Sequence, residues 1–209
     1  MLPDSLLLST RNPHKVREFG RLLGAGGVAV EPLPEGVQLP PETGETFADN
    51  ALPKARAAAA ATGRVAIADD SGIEAEALGG RPGVRSARYA GEDASDDENL
   101  RKLLDEAPAG SRLRYVCSLA WVDPETGEEH VVFGECRGTV AARVAGERGF
   151  GYDPAFLPDL GAPHDGADGG RSGTDGRTMA ELSDEEKDAI SHRGRAVRAL
   201  LEWLVARER

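Results

Sequence analysis

The run SLLLS (Ser5–Ser9) passes almost directly into Asn12-Pro13, and this junction constrains the fold more than any other feature. Asn is a preferred helix N-cap and Pro a preferred first helical residue. A short buried strand therefore feeds a helix whose apolar positions Val16, Phe19, Leu22 and Leu23 keep helical spacing until Gly24. Val28–Val30 reads as the next strand. The same grammar then returns. Thr46 to Asp49 is a capping-box variant opening an Ala-rich helix over Phe47–Thr62, and Val65–Ala68 reads as the strand after it. Ser95 with Glu98 is a full capping box, predicting a helix to about Ala107. RLRYVCSLAWVD and EEHVVFGECRGTV flank PETG and predict a hairpin. Ser183 with Glu186 caps another helical segment. Ser191 opens the last helix, with Val197, Leu200, Leu201 and Leu204 on its core face. β-α units mixed with a hairpin predict an α/β fold with a mixed sheet.

No internal repeat is evident, and EPLPEGVQLPPETGE is a loop inside the core pattern rather than a linker. The 209 residues suit one domain, or one domain with two lobes. The segment from Leu160 to Gly176 is poor in apolar residues and rich in Gly and Asp, which predicts a mobile surface loop. The N-terminus lacks the pattern of a signal peptide, and no apolar run approaches a membrane span, so a soluble cytoplasmic protein is expected. A net charge of −11 argues against a nucleic-acid polymer as partner. Cys117 and Cys136 each lie in an apolar run and read as reduced core thiols, and no two His stand at zinc-ligand spacing. The basic residues are nearly all Arg. Lys occurs only at 15, 54, 102 and 187, where a compact charge suits a phosphate, although so few lysines also fit chance.

Four stretches could carry chemistry. AIADDSG (Ala66–Gly72) ends an apolar strand in two adjacent carboxylates. Neighbours on a strand point to opposite faces, so Asp69 and Asp70 should do different jobs. DDSG is also an ordinary turn composition. STRNPHK sets Lys15 in the first turn of a helix whose N-terminus favours anions, or it is simply a capped helix with a surface Lys. ETGETF offers Glu42 or Glu45 as one carboxylate beside Asp70, enough for a Mg²⁺ ion that takes its other ligands from phosphate and water. Acidic residues there also favour a helix start. GFGYDPAF combines glycines, rings and an Asp against a planar base, or forms an aromatic turn. His192 and Arg193 at a helix start oppose the dipole, a local cost that hints at a role.

Together the segments STRNPHKVREF, ETGETFADNALPKARAAA, AIADDSGIEAEALGGRPGVRSARYAGED, ERGFGYDPAFLP and RTMAELSDEEKDAISHRGRAV resemble the inosine triphosphate pyrophosphatase family, in family order and over nearly the whole chain. The resemblance implies an elongated, twisted mixed β-sheet flanked by helices, with two lobes and a central nucleotide cleft. It implies a homodimer that hydrolyses ITP, dITP and XTP to monophosphate and pyrophosphate with Mg²⁺. Carried over, Thr10, Asn12, Lys15 and Lys54 bind the triphosphate. Asp70 is the proton acceptor and a metal ligand, Glu42 is the second metal carboxylate, and Asp69 is either structural or a support behind the residues that touch substrate and metal. Ser71 touches the substrate. Phe150, Gly151, Tyr152 and Asp153 hold the base and sugar, and Lys187, His192 and Arg193 complete the pocket. Donors from Arg193, His192 or nearby backbone would favour a 6-oxo purine over adenine.

Two features depart from the family pattern. Arg11 stands where Gly is common, and either reaches a phosphate or faces solvent. The segment 160–176 is longer than usual. Other readings are a Maf-like pyrophosphatase acting on dTTP or UTP, a nucleotide sensor without turnover, and a receiver domain. A receiver domain needs a phosphorylatable Asp ending a later strand, and the nearest candidate, Asp123, lies in the turn of the expected hairpin.

Overall fold

The computed structural model describes residues 2–159 and 176–207. The chain begins β1 (Ser5–Leu8), α1 (Pro13–Ala25) and β2 (Ala29–Pro32). α2 (Phe47–Thr62) and β3 (Ala66–Ala75) follow, then α3 (Asp96–Glu106). β4 (Arg112–Val122), β5 (Glu129–Val140) and β6 (Phe156–Pro158) complete the strands, and α4 (Asp184–Ile190) and α5 (His192–Ala206) end the chain. One six-stranded sheet has the order β2-β1-β3-β4-β5-β6. It is mixed. β1 is parallel to β2 and β3, whereas β5 and β6 are antiparallel. Parallel neighbours need a crossover, and α1 and α2 supply it.

The helix starts lie where the caps put them. Asn12 Oδ1 accepts from the His14 and Lys15 amides, with Pro13 first in α1. Thr46 with Asp49, Ser95 with Glu98 and Ser183 with Glu186 form reciprocal capping boxes. The hairpin is present, closed by the Asp123 amide on the Glu128 carbonyl.

The strand bearing DDSG departs from the reading as a strand end. It does not stop at Ala68 but runs to Ala75, so Asp69, Asp70 and Ser71 lie within it. β3 has β1 and β4 as neighbours in the sheet, and that pairing overrides the local turn composition. The loop segment 160–176 lies outside the described residues except at Gly176.

The described residues fall into two compact units. The first is Met1–Ser71, Cys117–Gly134 and His192–Arg209; the second is Gly72–Val116 and Glu135–Ser191. In the first unit the strand period of two sorts side chains onto two faces. Leu6, Leu8, Ile67, Leu119 and Trp121 cluster with Phe19 and Leu23 of α1 and Val197 and Leu200 of α5. Leu7, Ala66, Ala68 and Ala120 cluster with Ala51, Ala55, Ala58 and Ala59 of α2. The second unit packs Ile73, Leu103, Tyr115, Cys136, Phe156 and Met179 together. Both cysteines are free and buried. Among the described residues no helix is long and apolar enough to cross a membrane.

Candidate active site

The two faces of β3 in the first unit decide what Asp69 and Asp70 meet. Asp69 shares the face of Ile67, towards α1 and α5. Its Oδ2 lies 2.9 Å from Lys15 Nζ and 3.5 Å from Arg193 Nε, and accepts the Ser71 hydroxyl at 2.8 Å. Burial pushes this carboxyl up, but Lys15, Arg193 and Lys54 overcome it and hold it well below the usual carboxylate range. Its Oδ1 is buried without a hydrogen-bond partner among the described residues.

Asp70 shares the other face, with Ala66 and Ala68, towards α2. Its Oδ2 accepts from Asn50 Nδ2 at 2.9 Å and its Oδ1 from the Ser71 amide at 3.0 Å. Burial is the largest influence and pushes its pKa up. Glu42 adds to the rise, while Lys54 and Lys15 oppose it. Asn50 also accepts from the Gly44 amide at 2.7 Å, so it ties the acidic loop before α2 to Asp70. A side chain at Gly44 would meet Asp49 Cβ at 2.5 Å and Asn50 Oδ1 at 2.8 Å, which explains the glycine there.

Lys54 is buried on α2, one turn beyond Asn50. Its Nζ donates to Glu42 Oε1 at 2.5 Å and to the Asp69 carbonyl at 2.7 Å. Burial alone would lower its pKa, yet Asp69, Glu42 and Asp70 raise it, so it stays an ammonium. Glu42 is held down by Lys54 against the opposing effect of burial. Glu45 is exposed.

On the α5 side, Arg193 is buried. It donates from Nη1 to Glu18 Oε2 at 2.9 Å and from Nη2 to Ser71 Oγ at 2.7 Å. His192 is buried at the first position of α5. Thr10 Oγ1 accepts from the Asn12 amide at 3.2 Å. Arg11 is exposed, as the solvent-facing alternative expects. Its guanidinium donates to the Leu33, Pro34 and Val37 carbonyls, pinning the Pro-rich loop.

The second unit holds a separate group. Asp153 is 3% exposed. Its carboxylate accepts from Lys187 Nζ at 2.6 Å, the Phe150 amide at 3.0 Å and the Tyr115 hydroxyl at 3.1 Å. Gly149 makes room for it: a Cβ there would lie 2.0 Å from Asp153 Oδ2. Lys187 Nζ also stands 5.3 Å from the Phe150 ring centre, a cation–π contact. The Gly151 amide donates to Asp96 Oδ2 at 3.0 Å. Tyr152 is buried and donates to the Ser86 carbonyl at 2.7 Å.

The first unit thus gathers Thr10, Asn12, Lys15, Glu42, Lys54, Asp70, Ser71, His192 and Arg193. The second gathers Phe150, Gly151, Tyr152, Asp153 and Lys187. Glu18, Asn50 and Tyr115 are among the partners that escaped sequence reasoning. The available signals were faint. Glu18 is one turn from Lys15 and Leu22 on an apolar helix face. Asn50 is a poor helix former four residues before Lys54.

Among the described residues no three His, Cys, Asp or Glu group as an all-protein metal cage. The donor set fits a hard divalent cation that brings its own water and phosphate ligands. Asp70 and Glu42 are oxygen donors, with Glu42 near enough to raise the pKa of Asp70, and a cation shared by them would relieve that repulsion.

A mixed sheet with a buried carboxylate–ammonium cluster on its third strand defines the class: an α/β protein with a polar centre built into the sheet. The chain belongs to the Ham1 family, whose sequence profile matches residues 6–203. The dITP/XTP pyrophosphatase of Yersinia pseudotuberculosis is 46% identical over 208 residues, covering 96% of this chain and 98% of that one. The dITP/XTP pyrophosphatase of Cutibacterium acnes is 43% identical over 215 residues, covering 96% of each. Among solved structures, a HAM1 protein from Coxiella burnetii matches with a TM-score of 0.79 and 36% identity, over 99% of this chain and 100% of that one. A nucleoside-triphosphatase / dITP/XTP pyrophosphatase from Mycobacterium abscessus matches with a TM-score of 0.67 and 44% identity, over 94% of this chain and 98% of that one.

Proposed function

We propose that this chain hydrolyses non-canonical purine nucleoside triphosphates (ITP, dITP and XTP) to the monophosphate and pyrophosphate, and so cleanses the nucleotide pool. The observation that carries the reading is Asp70, a buried carboxyl with a raised pKa set beside two lysines. The names of the relatives supply the substrate class.

Cleaving a phosphoanhydride asks for charge neutralisation and an aligned water more than for covalent chemistry. Water attacks the α-phosphorus, the bond to the bridging oxygen breaks, and pyrophosphate leaves. Asp70 accepts the water's proton. Lys15 and Lys54, with the Thr10–Asn12 turn, take the triphosphate. Asp70 and Glu42 would hold Mg²⁺, which when bound neutralises phosphate charge. Phe150, Gly151 and Tyr152 contact the base and sugar, and Asp153 holds Lys187 in place for the same task. Arg193 and His192 favour the 6-oxo base. The working form is a cytoplasmic homodimer.

Product analysis tests this. The protein is given ITP, dITP, XTP, ATP, GTP, dTTP and UTP singly, with Mg²⁺ and then with chelator. Pyrophosphate plus monophosphate from the first three, lost with chelator, is expected. Orthophosphate release would refute the bond assignment. Turnover mainly of dTTP or UTP would favour a Maf-like activity, and binding without turnover a sensor. Light scattering reads the dimer.

A further inference from the structure

Glu18 is a carboxylate at a place where α1 otherwise buries hydrocarbon. It is 7% exposed, next to Phe19, on the helix that packs against α5. An ionised carboxylate in such a place is costly unless paired. A well-packed apolar residue would often serve stability as well as the pair does. The fold alone therefore does not account for Glu18.

Its partner explains it better. Glu18 Oε2 accepts from Arg193 Nη1, while Arg193 Nη2 donates to Ser71 Oγ and Arg193 Nε faces Asp69. A guanidinium is a rigid planar fork, so fixing one edge aims the others. We propose that Glu18 is a positioning residue for nucleotide hydrolysis: it fixes Arg193, and through it the Ser71 hydroxyl next to Asp70. The proposal rests on the pyrophosphatase reading above. Glu18 acts through Arg193 and has no contact with substrate of its own. Without it the guanidinium loses the Nη1 contact that sets its angle toward Asp69 and Ser71.

The test is a double-mutant cycle with ITP on the full chain: wild type, Glu18→Gln, Arg193→Lys and both together. Small misplacements at a reacting centre cost on the order of ten- to a hundredfold. Glu18→Gln is expected to lower kcat/KM on that scale. The double variant should lose no more than Arg193→Lys alone, and Glu18→Asp should recover part of the loss. Wild-type kcat/KM in Glu18→Gln would overturn the proposal, even with a lowered Tm. So would losses that multiply in the double variant. Should Glu18→Gln fail to fold, Glu18→Asp carries the same cycle. Wild-type protein without turnover of any nucleotide would instead refute the pyrophosphatase reading. The Arg193 side-chain nitrogen resonances then decide. Restricted rotation in wild type that is lost in Glu18→Gln supports positioning by Glu18, and no change refutes it.

Discussion

Asp69 and Asp70 are consecutive residues of β3, and the pleat turns their carboxyls to opposite faces of the sheet. Lys15 and Arg193 meet Asp69 on one face and keep it ionised. On the other, burial and Glu42 drive Asp70 towards holding a proton. One peptide unit thus separates a fixed anion from a base, and each can be tested separately.

Asp70→Asn is expected to fold and to lose turnover by ~10²–10⁴-fold, the usual share of a positioned base. Its Tm should stay within about 3 °C of wild type, roughly the shift from 1 kcal/mol in a chain of this size. Steady-state kinetics with ITP and a thermal melt check both. Near wild-type turnover would remove Asp70 from the catalytic role.

The acid limb of kcat/KM follows from the raised Asp70 pKa. The base must be ionised to accept a proton, so activity falls as pH drops through that value. The limb should therefore lie above about 3.9, where an ordinary Asp titrates. Lys54 lowers the Asp70 pKa, so Lys54→Met should move the limb to higher pH. A limb that stays in place would separate Lys54 from Asp70 electrostatically.

Asp69→Asn leaves Lys15 and Arg193 facing a neutral amide. Breaking a buried pair in this way costs about 3–5 kcal/mol. The folded pKa of Asp69 is depressed. Its contribution is therefore fully present above the unfolded value of ~3.9 and is lost as pH falls below it. Denaturant melts of the two proteins should differ most near neutrality and converge in acid. A pH-independent difference would refute the ion-pair account.

Gly44→Ala should lower kcat without touching any candidate ligand. Its Cβ would press on Asp49 and Asn50, and Asn50 would leave Asp70. A misplacement near 1 Å can cost on the order of 10²-fold. An unchanged kcat would mean that the Asn50 contact is dispensable.

Local signals made much of the fold legible. Caps such as Asn12-Pro13 and Ser95 with Glu98 are written within four residues, so they survive any tertiary context. The opposed roles of the two aspartates also follow from strand period alone. What escaped was non-local. DDSG has turn composition, but its neighbouring strands hold it extended. Glu18 and Arg193 are separated by most of the chain, and nothing near Glu18 announces a guanidinium. Two of the donors that converge on Asp153, Lys187 and Tyr115, come from distant segments. Arg11 is exposed, as one of its two readings expects, but its hold on the Leu33, Pro34 and Val37 carbonyls is non-local.

The chain's few lysines now have addresses. Lys54 and Lys187 have side chains 7% and 6% exposed, and Lys15 is 14% exposed, each against a carboxylate. Only Lys102, at 39%, lies substantially open on a helix surface. The molecule therefore presents almost no lysine amines to its surroundings. Among the lysines, a mild acylating reagent should mark Lys102 first. Modification at Lys15, Lys54 or Lys187 would then be a footprint, a mass shift that appears only when these ion pairs loosen.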